Sequence, residues 1–197
     1  MAVLHSRPHH IMIRTLILFI LLPVCVSSQD LTKLDERNGF NKFKLGTSLK
    51  ENKAITPLNR VSKSNKTNEE VYGVKNLQDF KLFGYLVEHI HLHFYKDQLW
   101  QIDVKLPDAA AFTQQHIIAI HISDGILKEY GPCTRSVESL QTKLINKRQE
   151  FYWEGTSVTM ARFYSLYPNT EGDRWLFLSN SIGSERAKEL GLYNTGL

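Results

Sequence analysis

Between Phe83 and Leu106 the chain alternates apolar and polar residues in two runs on either side of Lys96-Asp97-Gln98. A period of two belongs to extended backbone, whose successive side chains point to opposite faces. The stretch therefore predicts a β-hairpin. In the first run Leu86, Ile90, Leu92 and Phe94 share one face, while Tyr85, Val87, His89, His91, His93 and Tyr95 share the other. In the second run Trp100, Ile102, Val104 and Leu106 lie opposite Gln101, Asp103 and Lys105. Apolar faces meet only when paired residue numbers sum to an even value, because a one-residue slip turns every side chain over. A three-residue loop at 96–98 then sets Phe94 against Trp100, Leu92 against Ile102 and Ile90 against Val104. The same register sets His93 opposite Gln101, His91 opposite Asp103 and His89 opposite Lys105.

The flanking segments fill in an order of elements. Phe40–Leu45 alternates as a strand and Gly46 ends it. Ser48-Leu49-Lys50-Glu51 has capping-box spacing for a short helix that stops at Pro57. Val61 to Glu70 is almost wholly polar and predicts an exposed loop, with Asn65-Lys66-Thr67 a glycosylation acceptor pattern within it. Pro107-Asp108 opens a helix that runs to Tyr130, with Gly125 as a candidate break and Gly131-Pro132 as the stop. Val137, Leu140 and Leu144 predict a second short helix over Ser136–Asn146. Phe151–Glu154, Thr156–Tyr167 and Arg174–Ser181 read as strands, with turns at Gly155 and Pro168–Asp173. Ser184 caps a last helix with Leu190 on its apolar side. The expectation is an α+β domain over residues 39–197, an antiparallel sheet of about five to six strands with helices on one face. Residues 29–38 read as a flexible polar lead, and the two halves do not match closely enough to predict a repeat.

Residues 1–28 read as a cleavable secretory signal peptide. Arg7 and Arg14 supply positive charge, Leu16–Val26 is apolar, and Ser28 precedes Gln29 as a small residue at the cut. A permanent anchor is the alternative, but a spanning helix needs about 20 apolar residues, and this stretch is half that and holds Pro23. The expected location is therefore periplasmic or secreted, with no membrane span after cleavage. Cleavage removes Cys25 and leaves Cys133 alone, so no internal disulfide is expected and the hydrophobic core must hold the fold. A lone Cys of this kind is expected to be buried. Losing Arg7 and Arg14 from 24 basic residues against 20 acidic ones brings the net charge to about +2. That is too little for a nucleic-acid partner.

The phrase Gly39-Phe40-Asn41-Lys42-Phe43-Lys44-Leu45-Gly46-Thr47-Ser48-Leu49 resembles the opening of many small exported bacterial proteins of unassigned function. Phe94–Ile102, Tyr130-Gly131-Pro132 and Trp153-Glu154-Gly155 fall where such proteins carry similar phrases. Over residues 39–182 the pattern is similar to domains of the β-lactamase-inhibitor-protein type. The resemblance implies an α+β layer used for binding rather than catalysis, and it carries over no functional residue.

His89-Ile90-His91-Leu92-His93 is the most distinctive constellation. Alternate strand residues lie about 6.5–7 Å apart on one face, a spacing from which two imidazoles can hold one metal ion. Asp103, across from His91, is a third ligand or an acceptor that fixes a tautomer. His93 lies about 13–14 Å from His89, too far to share its ion. Tyr85 and Tyr95 flank the row, and Tyr with His on a sheet face suits contact with a protein or a glycan. His116 and His121, five apart, do not share a helix face. Cys133 lies outside any local signature of a cysteine hydrolase, and no serine elbow, phosphate loop or zinc-protease motif occurs. These observations predict a non-enzymatic exported binding module for an unknown protein or glycan, contacting it through Tyr85, His89, His91, His93, Tyr95, Gln101 and Asp103. The main alternative is a Zn or Cu protein using His89, His91 and Asp103; an enzyme with Cys133 as nucleophile is the remote one.

Overall fold

The computed structural model describes residues 31–107, 112–141, 146–165 and 173–192. The signal segment Met1–Ser28, the cap at Asp108 and all but the last residue of the Pro168–Asp173 turn lie outside the described residues. In chain order the elements are α1 (Thr32–Arg37), β1 (Gly39–Phe40), β2 (Phe43–Lys44), α2 (Leu49–Ile55), β3 (Leu58–Ser64) and β4 (Glu69–Val74). Then come β5 (Lys81–Leu82), β6 (Tyr85–Leu86), β7 (His89–Tyr95), β8 (Gln98–Lys105) and α3 (Phe112–Tyr130). Last are β9 (Arg135–Gln141), β10 (Asn146–Glu154), β11 (Val158–Ser165), β12 (Arg174–Ser179) and α4 (Asn180–Glu189). None of the described helices is long and apolar enough to cross a membrane.

The fold is α+β, as the alternation predicts, but the main sheet has eight strands in the order β3-β4-β7-β8-β12-β11-β10-β9, every neighbouring pair antiparallel. The strands that polarity and spacing hide are the two edges, β3 and β9, and the interior strand β4 beside β3. β3 and the start of β4 replace the loop expected at Val61–Glu70, and the turn between them shrinks to the residues around Asn65. β3 is exposed along nearly its whole length, so its polar sequence is compatible with a strand that buries neither face. At the other edge β9 replaces the helix expected over Ser136–Asn146, because pairing from Arg135↔Tyr152 to Gln141↔Asn146 outweighs the helical spacing of its apolar residues.

The order also reveals a repeat of topology that the sequence hides. A helix followed by four antiparallel main-sheet strands occurs twice, as α2-β3-β4-β7-β8 and as α3-β9-β10-β11-β12. The halves join through their last strands, β8 and β12, from Arg174↔Lys105 to Leu178↔Gln101. The first half additionally inserts the small β5–β6 hairpin.

One face of the sheet carries the core. Ile90, Leu92, Ile102, Val104, Val158, Met160, Trp175 and Phe177 form one buried cluster with Ile122, Ile126 and Tyr130 of α3. Helix α3 runs unbroken through Gly125, where an added Cβ would lie 2.9 Å from Cδ1 of Phe83. The missing side chain there is packing space, not a break. Gly131, at φ +76°, ends α3 by donating its amide to Leu127, as the sequence predicts. The same face holds a buried ion pair. Arg162 donates to both oxygens of Asp173 at 2.9 and 2.6 Å and to the hydroxyl of Ser123 on α3 at 2.8 Å.

The polar lead expected at 29–38 is a structured element from Thr32 onward. Leu34 of α1 is fully buried, and Asp35 accepts the amides of Thr156, Ser157 and Val158 at 2.8–2.9 Å. The N-terminal helix thus ties down the β10–β11 turn. Ser48 closes the expected capping box with Glu51 at the start of α2. The last helix starts earlier than Ser184: Ser179 caps α4.

Helices do not all lie on the core face. Arg186 of α4 stacks over Trp100 and bonds to Glu69, Glu189 bonds to Tyr95, and Glu185 and Glu189 pair with Lys96. These contacts hold α4 over a corner of the opposite face, and the one-face arrangement expected from the sequence is corrected accordingly.

Candidate functional site

The face opposite the core, called the open face here, is assembled mainly from β7, β8 and β12. In β7 the core takes Ile90, Leu92 and Phe94 and leaves His89, His91 and His93 half-buried on the other side. The register is the predicted one for His89↔Lys105, His91↔Asp103 and His93↔Gln101. It fails beyond His93. Lys96 and Asp97, both at positive φ, close a two-residue loop, Phe94 pairs with Leu99, and the ladder shifts between His93 and Phe94. Leu99 enters the core in place of Trp100. The indole crosses to the open face, where it meets His93 edge-on with ring centres 6.4 Å apart.

The predicted contact residues are therefore dispersed. Tyr85 belongs to the separate β5–β6 hairpin, and its hydroxyl meets Nδ1 of His121 on α3 at 2.9 Å, away from the histidine row. The break after β6 also turns Leu86 out to 53 % exposure and buries Val87 in its place. Tyr95 is only 2 % exposed, with its hydroxyl bonded to Glu189 of α4. His93 lies beside Trp100, and its Nε2 is buried without a hydrogen-bond partner. Burial pushes the His93 imidazolium down to about 4, against the opposing pull of Asp103. The side chain of His116 lies outside the described residues. Cys133 is free and half-buried, packed against the core rather than fully inside it.

His89, His91 and Asp103 do come together. The imidazoles stack with ring centres 4.7 Å apart and planes 21° from parallel. One ligand atom from each of the three residues can be chosen so that all lie within 4.8 Å of one another. Asp103 is buried at 2 % exposure and held by Arg174 of β12, whose Nε and terminal nitrogen donate to its two oxygens at 2.8 and 2.5 Å. Burial and the neighbouring His91 lower the pKa of His89. Beside the group, Lys105 pairs with Glu88 at 2.9 Å.

Arg174 is the functional neighbour that sequence reasoning misses. It is 71 positions from Asp103, and only the β8–β12 pairing brings them together. The same pairing puts Leu176 and Leu178, both half-buried, on the open face next to Asp103 and Gln101. Beyond β12 the face continues with Phe163 and Tyr152, edge to face at 6.2 Å, and with Arg135 stacked 3.8 Å over the Tyr152 ring. Alternation within Arg174–Ser179 already marks Arg174, Leu176 and Leu178 as one face; what they face is not legible without the pairing.

Comparison with protein-family models, with characterised proteins and with solved structures returned no significant match.

Proposed function

We propose that the chain is an exported, non-enzymatic binding module that holds another protein against the open face of its sheet. One observation carries the reading: the middle of an eight-stranded sheet has half-exposed Leu176 and Leu178 bordered by His89, His91 and Arg174 on one side and by Phe163, Tyr152 and Arg135 on the other. An apolar centre with aromatic, Arg and His neighbours is the composition of protein–protein contacts. The apolar centre favours a protein over a glycan. Relative to the surface predicted from sequence, the proposed patch keeps His89, His91 and Gln101, drops Tyr85, His93, Tyr95 and the buried Asp103, and gains residues of β9–β12.

The test is recovery of a partner from the native envelope by the tagged protein, repeated with Tyr152→Ala plus His91→Ala and with Leu127→Ser. Leu127 is 58 % exposed on α3, on the core side of the sheet. A partner lost with the first variant and kept with the second supports the open face. Equal recovery by both, with melting temperatures unchanged, rejects it.

A further inference from the structure

We propose that His89, His91 and Asp103 form a binding site for a borderline transition-metal dication, Zn²⁺ or Cu²⁺, with Arg174 as the residue that positions the carboxylate. The idea does not depend on a macromolecular partner. Its basis is the convergence of three donors of the right kind from two adjacent strands within 4.8 Å. Imidazole nitrogen and carboxylate oxygen are ordinary ligands for these ions, whereas Ca²⁺ and Mg²⁺ require oxygen throughout. A tetrahedral Zn²⁺ holds its ligands about 2.0–2.1 Å away, so donor atoms sit about 3.3 Å from one another around the ion. Side-chain rotation of the two histidines closes the difference. They are half-buried, so they have room to turn.

Two further features fit. The hydrogen bonds from Arg174 take one lone pair of each Asp103 oxygen, and a carboxylate has about four such positions, so metal and guanidinium can bind together. A ligand carboxylate oriented by an outer hydrogen bond is the usual support of such centres. Charge is also balanced: Arg174 and Lys105 are opposed by Asp103 and Glu88. Three protein ligands leave a fourth position facing the solvent side of the sheet, which water or a donor from another molecule can fill.

The experiment titrates the purified protein, free of any polyhistidine tag, with Zn²⁺ by calorimetry and with Co²⁺ by visible absorption. One ion per chain is expected, at about micromolar affinity or tighter. His89→Ala and His91→Ala should each weaken it at least about tenfold, and Arg174→Gln by a smaller factor through a looser Asp103. His93→Ala is the control and should stay within about twofold. Circular dichroism of each metal-free variant separates lost ligation from lost folding, and Asp103→Asn is read only if it remains folded. Affinity weaker than about 100 μM, or binding insensitive to both His89→Ala and His91→Ala, overturns the site. Neither outcome bears on partner capture by the open face, whose readout is separate.

Discussion

His93 differs from the two histidines beside it because a bulge sends Trp100 across the sheet and α4 covers the corner where it sits. Its depressed pKa couples folding to acidity. An unfolded chain takes up the proton near pH 6.5, while the folded one refuses it until about 4, so the unfolded state binds more protons between those values. Stability is therefore complete above about pH 6.5 and is lost as pH falls toward 4. Urea denaturation at pH 7 and pH 4.5 should show the wild type losing about 2 kcal/mol more than His93→Gln loses. Identical losses in the two proteins would remove the assignment. The side of the strand that His89, His91 and His93 occupy was legible from alternation alone. Their unequal burial was not, because it depends on which turn closes the hairpin and on a helix about 90 positions downstream.

At the scale of elements, the interior strands β7, β8, β10, β11 and β12 were legible, while the edges β3 and β9 and the interior β4 were not. Strands β7 and β12 bury mainly one face, so the period of two shows through; β3 buries neither face and leaves no such trace. Gly125 shows how packing overrules local preference in a helix. Intrinsic propensity favours Gly125→Ala by about 1 kcal/mol. The new methyl would, however, meet Phe83 at 2.9 Å, and Phe83 sits at φ +49° in the β5–β6 turn with its ring against Trp175. Overpacking of this kind costs about 1–3 kcal/mol, so Gly125→Ala should lower the thermal midpoint. A higher midpoint would mean that the Phe83 ring yields freely.

For the whole molecule, the seam between β8 and β12 is a line of symmetry but not a boundary between domains. Ile102 and Val104 of the first half share one buried cluster with Trp153 and Trp175 of the second, and Asp35 of α1 bonds the β10–β11 turn. Urea unfolding followed by tryptophan fluorescence and by far-ultraviolet dichroism should give one transition, with midpoints agreeing within about 0.2 M. Two resolved transitions would mean that each half folds alone. The seam has a consequence for any molecule that meets the sheet. A two-fold dimer of identical halves must present every side chain twice and accept a visitor equally well in two poses. Joined in one chain, the halves are free to diverge, and here one offers imidazoles and a buried carboxylate while the other offers guanidinium and aromatic rings. Such a surface has a head and a tail: a visitor bound there, as proposed, would meet different chemistry in each of its two directions.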